Sequence, residues 1–185
     1  MEIRGTAVVA VDGADAADPV AFAEQISHLL RGSGRGGGVV SLHDFVRPAS
    51  VRLEYGHHDE LSYRTLWFDY QAVDREIVRA LRERGTWLSA LWDEQADRSA
   101  RAPVTSAGAQ DVVFVAGPML LGRGLDFDVS VHLQTSERTV RRLTPKEQLW
   151  TVSPLIDHQR ETTDNPTFLV RWDHPERPAV ARVIP

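Results

Sequence analysis

The first 42 residues constrain the fold more than any other feature. Residues 6–11 (TAVVAV) form a continuous apolar run that stops at Asp12-Gly13. A short run with no polar alternation reads as a strand buried on both faces, as in a parallel sheet. Phe22, Ile26, Leu29 and Leu30 then recur at helical spacing. Asp18 is placed to cap that helix, and Pro19 suits its first position. The helix is expected to end near Arg31-Gly32, followed by the flexible SGRGGG of residues 33–38 and a second buried strand at 39–42. Strand, loop, helix and strand make a right-handed βαβ unit, which commits the rest of the chain to an α/β fold.

The remaining segments extend that unit. Residues 43–70 are mostly polar and read as a long excursion from the sheet's carboxyl edge, with short helical turns. Val73, Ile77, Val78 and Leu81 predict a second helix over 71–84. Strands are expected at 87–91, 112–116 (VVFVA, broken by Gly117-Pro118), 127–133 and 167–172, with a polar loop at 93–110. Ser136 caps a helix through Leu143 with Glu137 in its first turn. Residues 146–162 read as helical with a break near Pro154, and 175–185 as a tail. No repeat or composition shift marks a second unit. Residues 1–185 are expected to form one domain, a three-layer α/β sandwich around a mostly parallel sheet.

Composition excludes several functional classes. The chain has 185 residues, 42% hydrophobic and 25% charged, with a formal net charge of -5 and no cysteine. Disulfides, thiolate catalysis and cysteine zinc sites are excluded, and a cytoplasmic location is the default expectation. A mildly acidic chain lacks the basic surface a nucleic-acid binder needs. No run approaches the roughly 20 apolar residues of a membrane helix, and the N-terminus lacks the basic-then-apolar order of a signal peptide.

Several blocks, taken in order, resemble one family. Val11-Asp12-Gly13 before a helix stands where a phosphate-binding loop sits in nucleotide kinases. Ser41-Leu42-His43-Asp44-Phe45 resembles the Ser-x-Asp-(Asp/Ser)-Phe segment of uridine kinases, and Trp67-Phe68-Asp69-Tyr70 resembles the Phe-Asp block after it. Leu91-Trp92-Asp93 is similar to their Val-Tyr-Asp turn, and 114–118 to their strand ending in Glu-Gly. Residues 127–133 with 137–142 are similar to their last strand and arginine-bearing helix. The chain therefore resembles the uridine kinase-like family of the P-loop nucleoside kinase superfamily, and most of all its small actinobacterial-type members. The resemblance implies a P-loop NTPase fold.

The departures carry the functional expectation. Against G-x-x-x-x-G-K-[ST] aligned on Gly13, Asp18 replaces the second glycine, Pro19 the lysine and Val20 the hydroxyl residue. Asp18 as a cap would fill the anion site with its own carboxylate, Asp15 adds negative charge, and Pro19 removes an amide donor. By resemblance the family's catalytic acid falls at His43 and its metal-binding glutamate at Ala116. Phosphoryl transfer depends on positioning and charge neutralisation, so a degenerate Walker A loop disfavours ATP and Mg²⁺. Asp12 and Asp44 are the carboxylates that remain nearby.

The expected function is an ATP-independent, repurposed small-molecule-binding protein or non-kinase enzyme that uses the family's acceptor pocket. The alternatives are a non-catalytic, pseudokinase-type binding module and a still-active nucleoside kinase with an unorthodox phosphate site. His43 and Asp44 are the candidate acid/base pair at a strand's carboxyl end. The candidate ligand-binding residues are Arg47, Arg52, Tyr63, Trp67, Asp69, Trp92, Asp93, Arg138 and Arg142. The degenerate loop comprises Gly13, Asp15, Asp18, Pro19 and Val20. Arginines grip anions or planar groups, and the aromatic residues of the excursion are read as a platform for a nucleoside-like or aromatic ligand. His57-His58-Asp59-Glu60 has a metal-site composition, but adjacent histidines point apart, so a solvated loop and no metal are expected. No nucleic-acid or membrane partner is expected, and a homodimer stays open.

Overall fold

The computed structural model describes residues 4–183. Its core is a six-stranded sheet. The chain runs β1 (Ala7–Asp12), α1 (Pro19–Gly32), β2 (Gly37–Ser41), α2 (Ala49–Arg52) and α3 (Glu60–Thr65), then α4 over residues 70–84. Short strands β3 (Thr86–Leu88), β4 (Trp92–Asp93), β5 (Arg98–Ser99) and β6 (Val104–Ser106) follow. The chain closes with β7 (Val112–Gly117), β8 (Val129–Gln134), α5 (Glu137–Leu143), α6 (Val152–Glu161), β9 (Phe168–Arg171) and β10 (Ala179–Arg182).

The sheet order is β10-β9-β8-β1-β7-β2. All neighbours are parallel except β10, which runs antiparallel to β9. β1 and β7 are buried along their whole length, as their unbroken apolar runs require. Val8, Ala10, Val40, Val113 and Val115 face α4 and the excursion. Val9, Val11, Phe114, Val131 and Leu133 face α1. The three-layer α/β sandwich with a mostly parallel sheet is present, and the crevice at the carboxyl ends of β1, β7, β2 and β8 is where such sheets bind ligands.

Several boundaries differ from expectation. Leu29 is exposed, and Ala23 and Ser27 fill the buried face of α1 with Phe22, Ile26 and Leu30 packed beside them. Residues 93–110 are not one loop. Trp92–Asp93 pairs with Arg98–Ser99, and Val104–Ser106 pairs with β3 outside the main sheet. The expected tail contains β10, whose residues are all exposed, so ladder hydrogen bonds hold it and no apolar pattern marks it. The expected break near Pro154 lies earlier. A 3-10 turn (Lys146–Thr151) precedes α6, and Pro154 sits in the first turn, where its missing N–H costs nothing. The 70–84 helix passes through a π-helical turn at Asp74–Val78. No helix among the described residues is long and apolar enough to cross a membrane.

Gly37 opens β2 at φ +114°, and a Cβ built there would lie 2.0 Å from the Val112 carbonyl oxygen. Gly37→Ala should therefore destabilise by about 2 kcal/mol or more, read as a lower denaturant midpoint.

Candidate functional site

The loop from β1 to α1 closes on itself. A 3-10 turn at Asp15–Ala17 lets the Ala14 carbonyl accept from Ala17 N–H at 2.8 Å and the Asp15 carbonyl accept from Asp18 N–H at 2.9 Å. Asp18 then caps α1. Its carboxylate accepts from Ala21 N–H at 3.1 Å and its carbonyl from Phe22 N–H at 3.1 Å, while Pro19 has no N–H to give. Asp18 holds φ +51°, a left-handed conformation that glycine adopts freely and aspartate tolerates better than most residues. Gly13 is buried against Leu133, and Val20 packs into the α1 side of the core.

His43 stands across the cleft from that loop, in the 3-10 turn (Leu42–Phe45) that ends β2. Its Nε2 lies 3.1 Å from an Asp15 oxygen and its Nδ1 lies 2.7 Å from Glu94 Oε2. Two carboxylates on two ring nitrogens require a proton on each nitrogen. Burial opposes the charged ring, but the hydrogen bonds and charges of Asp15 and Glu94 outweigh it and raise the His43 pKa to about 10. At neutral pH His43 is thus an imidazolium, able to donate a proton or hydrogen bonds and unable to act as a base.

Glu94 is the centre of the cluster. Its Oε1 accepts from Arg52 Nη1 and from Trp67 Nε1, each at 2.9 Å. Burial pushes its carboxyl up, yet His43, Trp67 and Arg52 together hold it below the ordinary carboxylate range. Arg52, buried with 5% of its surface exposed, also donates from Nε to the Arg47 carbonyl at 2.6 Å and lies 5.0 Å over the Trp67 ring. Asp97 accepts from Trp92 Nε1 at 3.0 Å and from Ala49 N–H at 2.8 Å.

The other sequence-predicted residues sit as follows. Asp44 accepts Leu91 N–H with its carbonyl at 2.9 Å, and the carboxylate on His43 Nδ1 is that of Glu94. Burial first, then Asp93 and Glu94, push the Asp44 carboxyl up. Tyr63 and Trp67 are buried, with Trp150 packed on both at 5.3 and 5.6 Å, so their rings form an aromatic cluster and not an open stacking wall. Asp69 caps α4 by accepting from Ala72 N–H, and Asp93 accepts from Ala96 N–H in a tight turn. Arg138 and Arg142 are exposed on α5. His58 packs against Trp150 and Asp59 caps α3, and no group of three or more His, Asp or Glu among the described residues is arranged to hold a metal ion.

An open cleft of about 310 Å³ lies between these parts, lined by Asp15, Asp18, Pro19, His43, Ala116 and Gln148 among others. Both of its carboxylates face solvent and no lysine or arginine lines it.

Comparison with solved structures finds 41 matching chains, two of which illustrate the shared fold. A possible uridine kinase from Bacillus stearothermophilus superposes with TM-score 0.65 at 17% identity, over 88% of this chain and 89% of that one. A proposed fructose transport system kinase from Silicibacter sp. TM1040 superposes with TM-score 0.65 at 14% identity, over 89% of each chain. No family model matches the sequence, and no curated protein matches it either. At these identities the likeness is one of fold alone.

Two measurements follow. Asp18→Ala removes the cap but keeps the left-handed backbone, and should cost about 1–2 kcal/mol, whereas Asp18→Gly should be close to neutral. The His43 pKa is raised above its ordinary 6.5, so its stabilising effect is complete below pH 6.5 and is lost as pH rises toward 10. NMR titration should show a His43 midpoint near 10 that falls on Glu94→Gln, and stability should decline less between pH 6.5 and 10 in His43→Gln.

Proposed function

We propose that this chain is a uridine kinase-like fold turned to ATP-independent small-molecule binding at the carboxyl edge of the sheet. One observation supports this above all others. In the segment that would have to wrap a triphosphate, the Ala17 and Asp18 amides are spent on the Ala14 and Asp15 carbonyls and the Ala21 amide on the Asp18 carboxylate. A phosphate arriving there would displace a helix cap, meet Asp15 and Asp18 with no lysine or arginine beside them, and have to break the Asp15–His43 contact to reach the only charged ring in the lining. Each of those changes opposes binding, and none is offset by a lysine.

The cleft suits a neutral or weakly basic ligand, such as a nucleoside-like or other heteroaromatic compound. Its carboxylates accept hydrogen bonds, and His43 beside them is a donor. If the bound compound reacts, His43 is the group that supplies a proton, and the Glu94, Arg52 and Trp67 network fixes its ring. The completeness of that network favours a second reading, a pseudokinase-type module without chemistry. Every polar atom of the Glu94 carboxylate is already engaged.

Thermal unfolding with and without millimolar Mg²⁺–ATP tests the proposal. No rise in Tm is expected for the native chain. A rise of several degrees that Asp18→Arg abolishes would restore a kinase. Uridine, cytidine and adenosine are the first probes of the cleft, and a Tm rise lost on His43→Gln is the expected outcome. No response to any nucleoside or nucleobase would overturn the nucleoside-like assignment.

A further inference from the structure

A second site lies on the other side of β1 from the His43 cleft. Asp12 ends β1 and His132 lies opposite it on β8. Asp12 is buried. Its Oδ1 accepts Leu120 N–H at 2.7 Å, and its Oδ2 lies 2.6 Å from His132 Nδ1. The carboxylate thereby fixes the ring with Nδ1–H toward Asp12 and Nε2 as the acceptor. Nε2 receives the Gln159 side-chain amide at 3.1 Å, and Gln159 is exposed. Its place can be taken at little cost.

This pair opens on a cavity of about 140 Å³ between β1, β8 and helices α5 and α6. The walls are largely apolar, from Met119, Leu121, Leu133, Val140 and Leu155. Thr135 also lines it, with 8% of its surface exposed, and its hydroxyl is buried without a hydrogen-bond partner. A buried hydroxyl left unpaired costs free energy that a native structure normally avoids. His158 directs Nε2–H to the Leu121 carbonyl at 2.9 Å, and burial followed by the charge of Arg123 holds its pKa below the ordinary value, so it enters the wall uncharged. Met119 adopts φ +57°, a strained conformation for a buried, unbranched side chain. It is held there by Leu120 N–H on Asp12 and by Arg123 on its own carbonyl.

We infer that this cavity is a binding site for a compact, uncharged alcohol or polyol, held between His132 Nε2 as acceptor and the Thr135 hydroxyl. The volume fits a molecule of roughly six to ten heavy atoms, since an apolar cavity of about 150 Å³ takes up benzene. Charge selects against acids. The carboxylates of the lining, Asp12 and Asp164, already accept from Leu120 N–H, His132 and Gly122 N–H, and no lysine or arginine faces the cavity. A ligand hydroxyl replaces the Gln159 amide at His132, a second one pairs with Thr135, and the carbon skeleton lies on the apolar wall. The site stands independently of the His43 cleft.

The test uses the intact chain and three six-membered-ring probes: cis-1,2-cyclohexanediol, cyclohexanecarboxylate and cyclohexylammonium. Calorimetry should give one diol site, with the two charged probes at least tenfold weaker. Thr135→Val keeps the side-chain shape and removes the unpaired hydroxyl. It should weaken the diol roughly three- to tenfold while leaving the ligand-free Tm unchanged or higher. His132→Asn keeps a donor for Asp12 and removes the acceptor at the Nε2 position, which the shorter amide does not reach, and should weaken the diol similarly. If that variant does not fold, Thr135→Val decides. Failure of the diol to bind, diol binding that Thr135→Val leaves intact, or tighter binding of either charged probe would overturn the inference. None of these outcomes bears on ATP or on His43.

Discussion

The contact on which the arrangement depends is the charged His43 ring between Asp15 and Glu94. It joins three segments far apart in the chain: the loop after β1, the end of β2 and the turn at β4. A parallel sheet leaves its carboxyl edge as a set of loops with no ladder to order them. Here an imidazolium and two carboxylates supply that order. Each carboxylate is itself placed by a local device, a 3-10 turn for Asp15 and the Arg52–Trp67 pair for Glu94. The same bridge crosses the mouth of the cleft, so the interaction that orders the edge also limits what enters it.

The loop after β1 shows how one position changes an anion site into a plain helix start. The backbone at Asp18 keeps a left-handed conformation suited to glycine. With glycine there, the first amides of α1 would remain free to meet an anion. With aspartate, a carboxylate three residues away accepts one of them without any loss of translational freedom. An external phosphate must outcompete a tethered group, and the tethered group carries the same charge.

The sequence made some of this legible and hid the rest for physical reasons. β1 and β7 announce themselves because a strand buried on both faces needs an unbroken apolar run. Asp18 and Pro19 announce the start of α1 because a cap is a local interaction. Glu94 does not stand out. It sits among Asp93, Gln95 and Asp97 in a polar stretch, and it reaches His43 only because the β4–β5 hairpin folds back across 51 residues. The aromatic residues of 55–70 suggest a ligand platform on composition alone, yet Tyr63 and Trp67 cover the excursion where it rests on the sheet. A long loop with few aliphatic residues must use its rings for its own packing. His132 was hidden by its strand, since in the alternation of β8 it occupies the less buried face, where polar residues are unremarkable.

The two histidines at this edge show how partner chemistry sets the role of one side-chain type. His43 meets a carboxylate at each nitrogen, so both must carry protons, and the ring is a fixed cation that holds the segments together. His132 meets a carboxylate at Nδ1 and an amide nitrogen at Nε2, so the second nitrogen must accept. A ring whose acceptor is covered only by an exposed glutamine side chain keeps its capacity available to a ligand. The cavity beside it adds a hydroxyl with nothing to bond. On that reasoning the His43 bridge is the structural lock of the carboxyl edge, and the His132 acceptor with the Thr135 hydroxyl is hydrogen-bonding capacity left on the far side of β1.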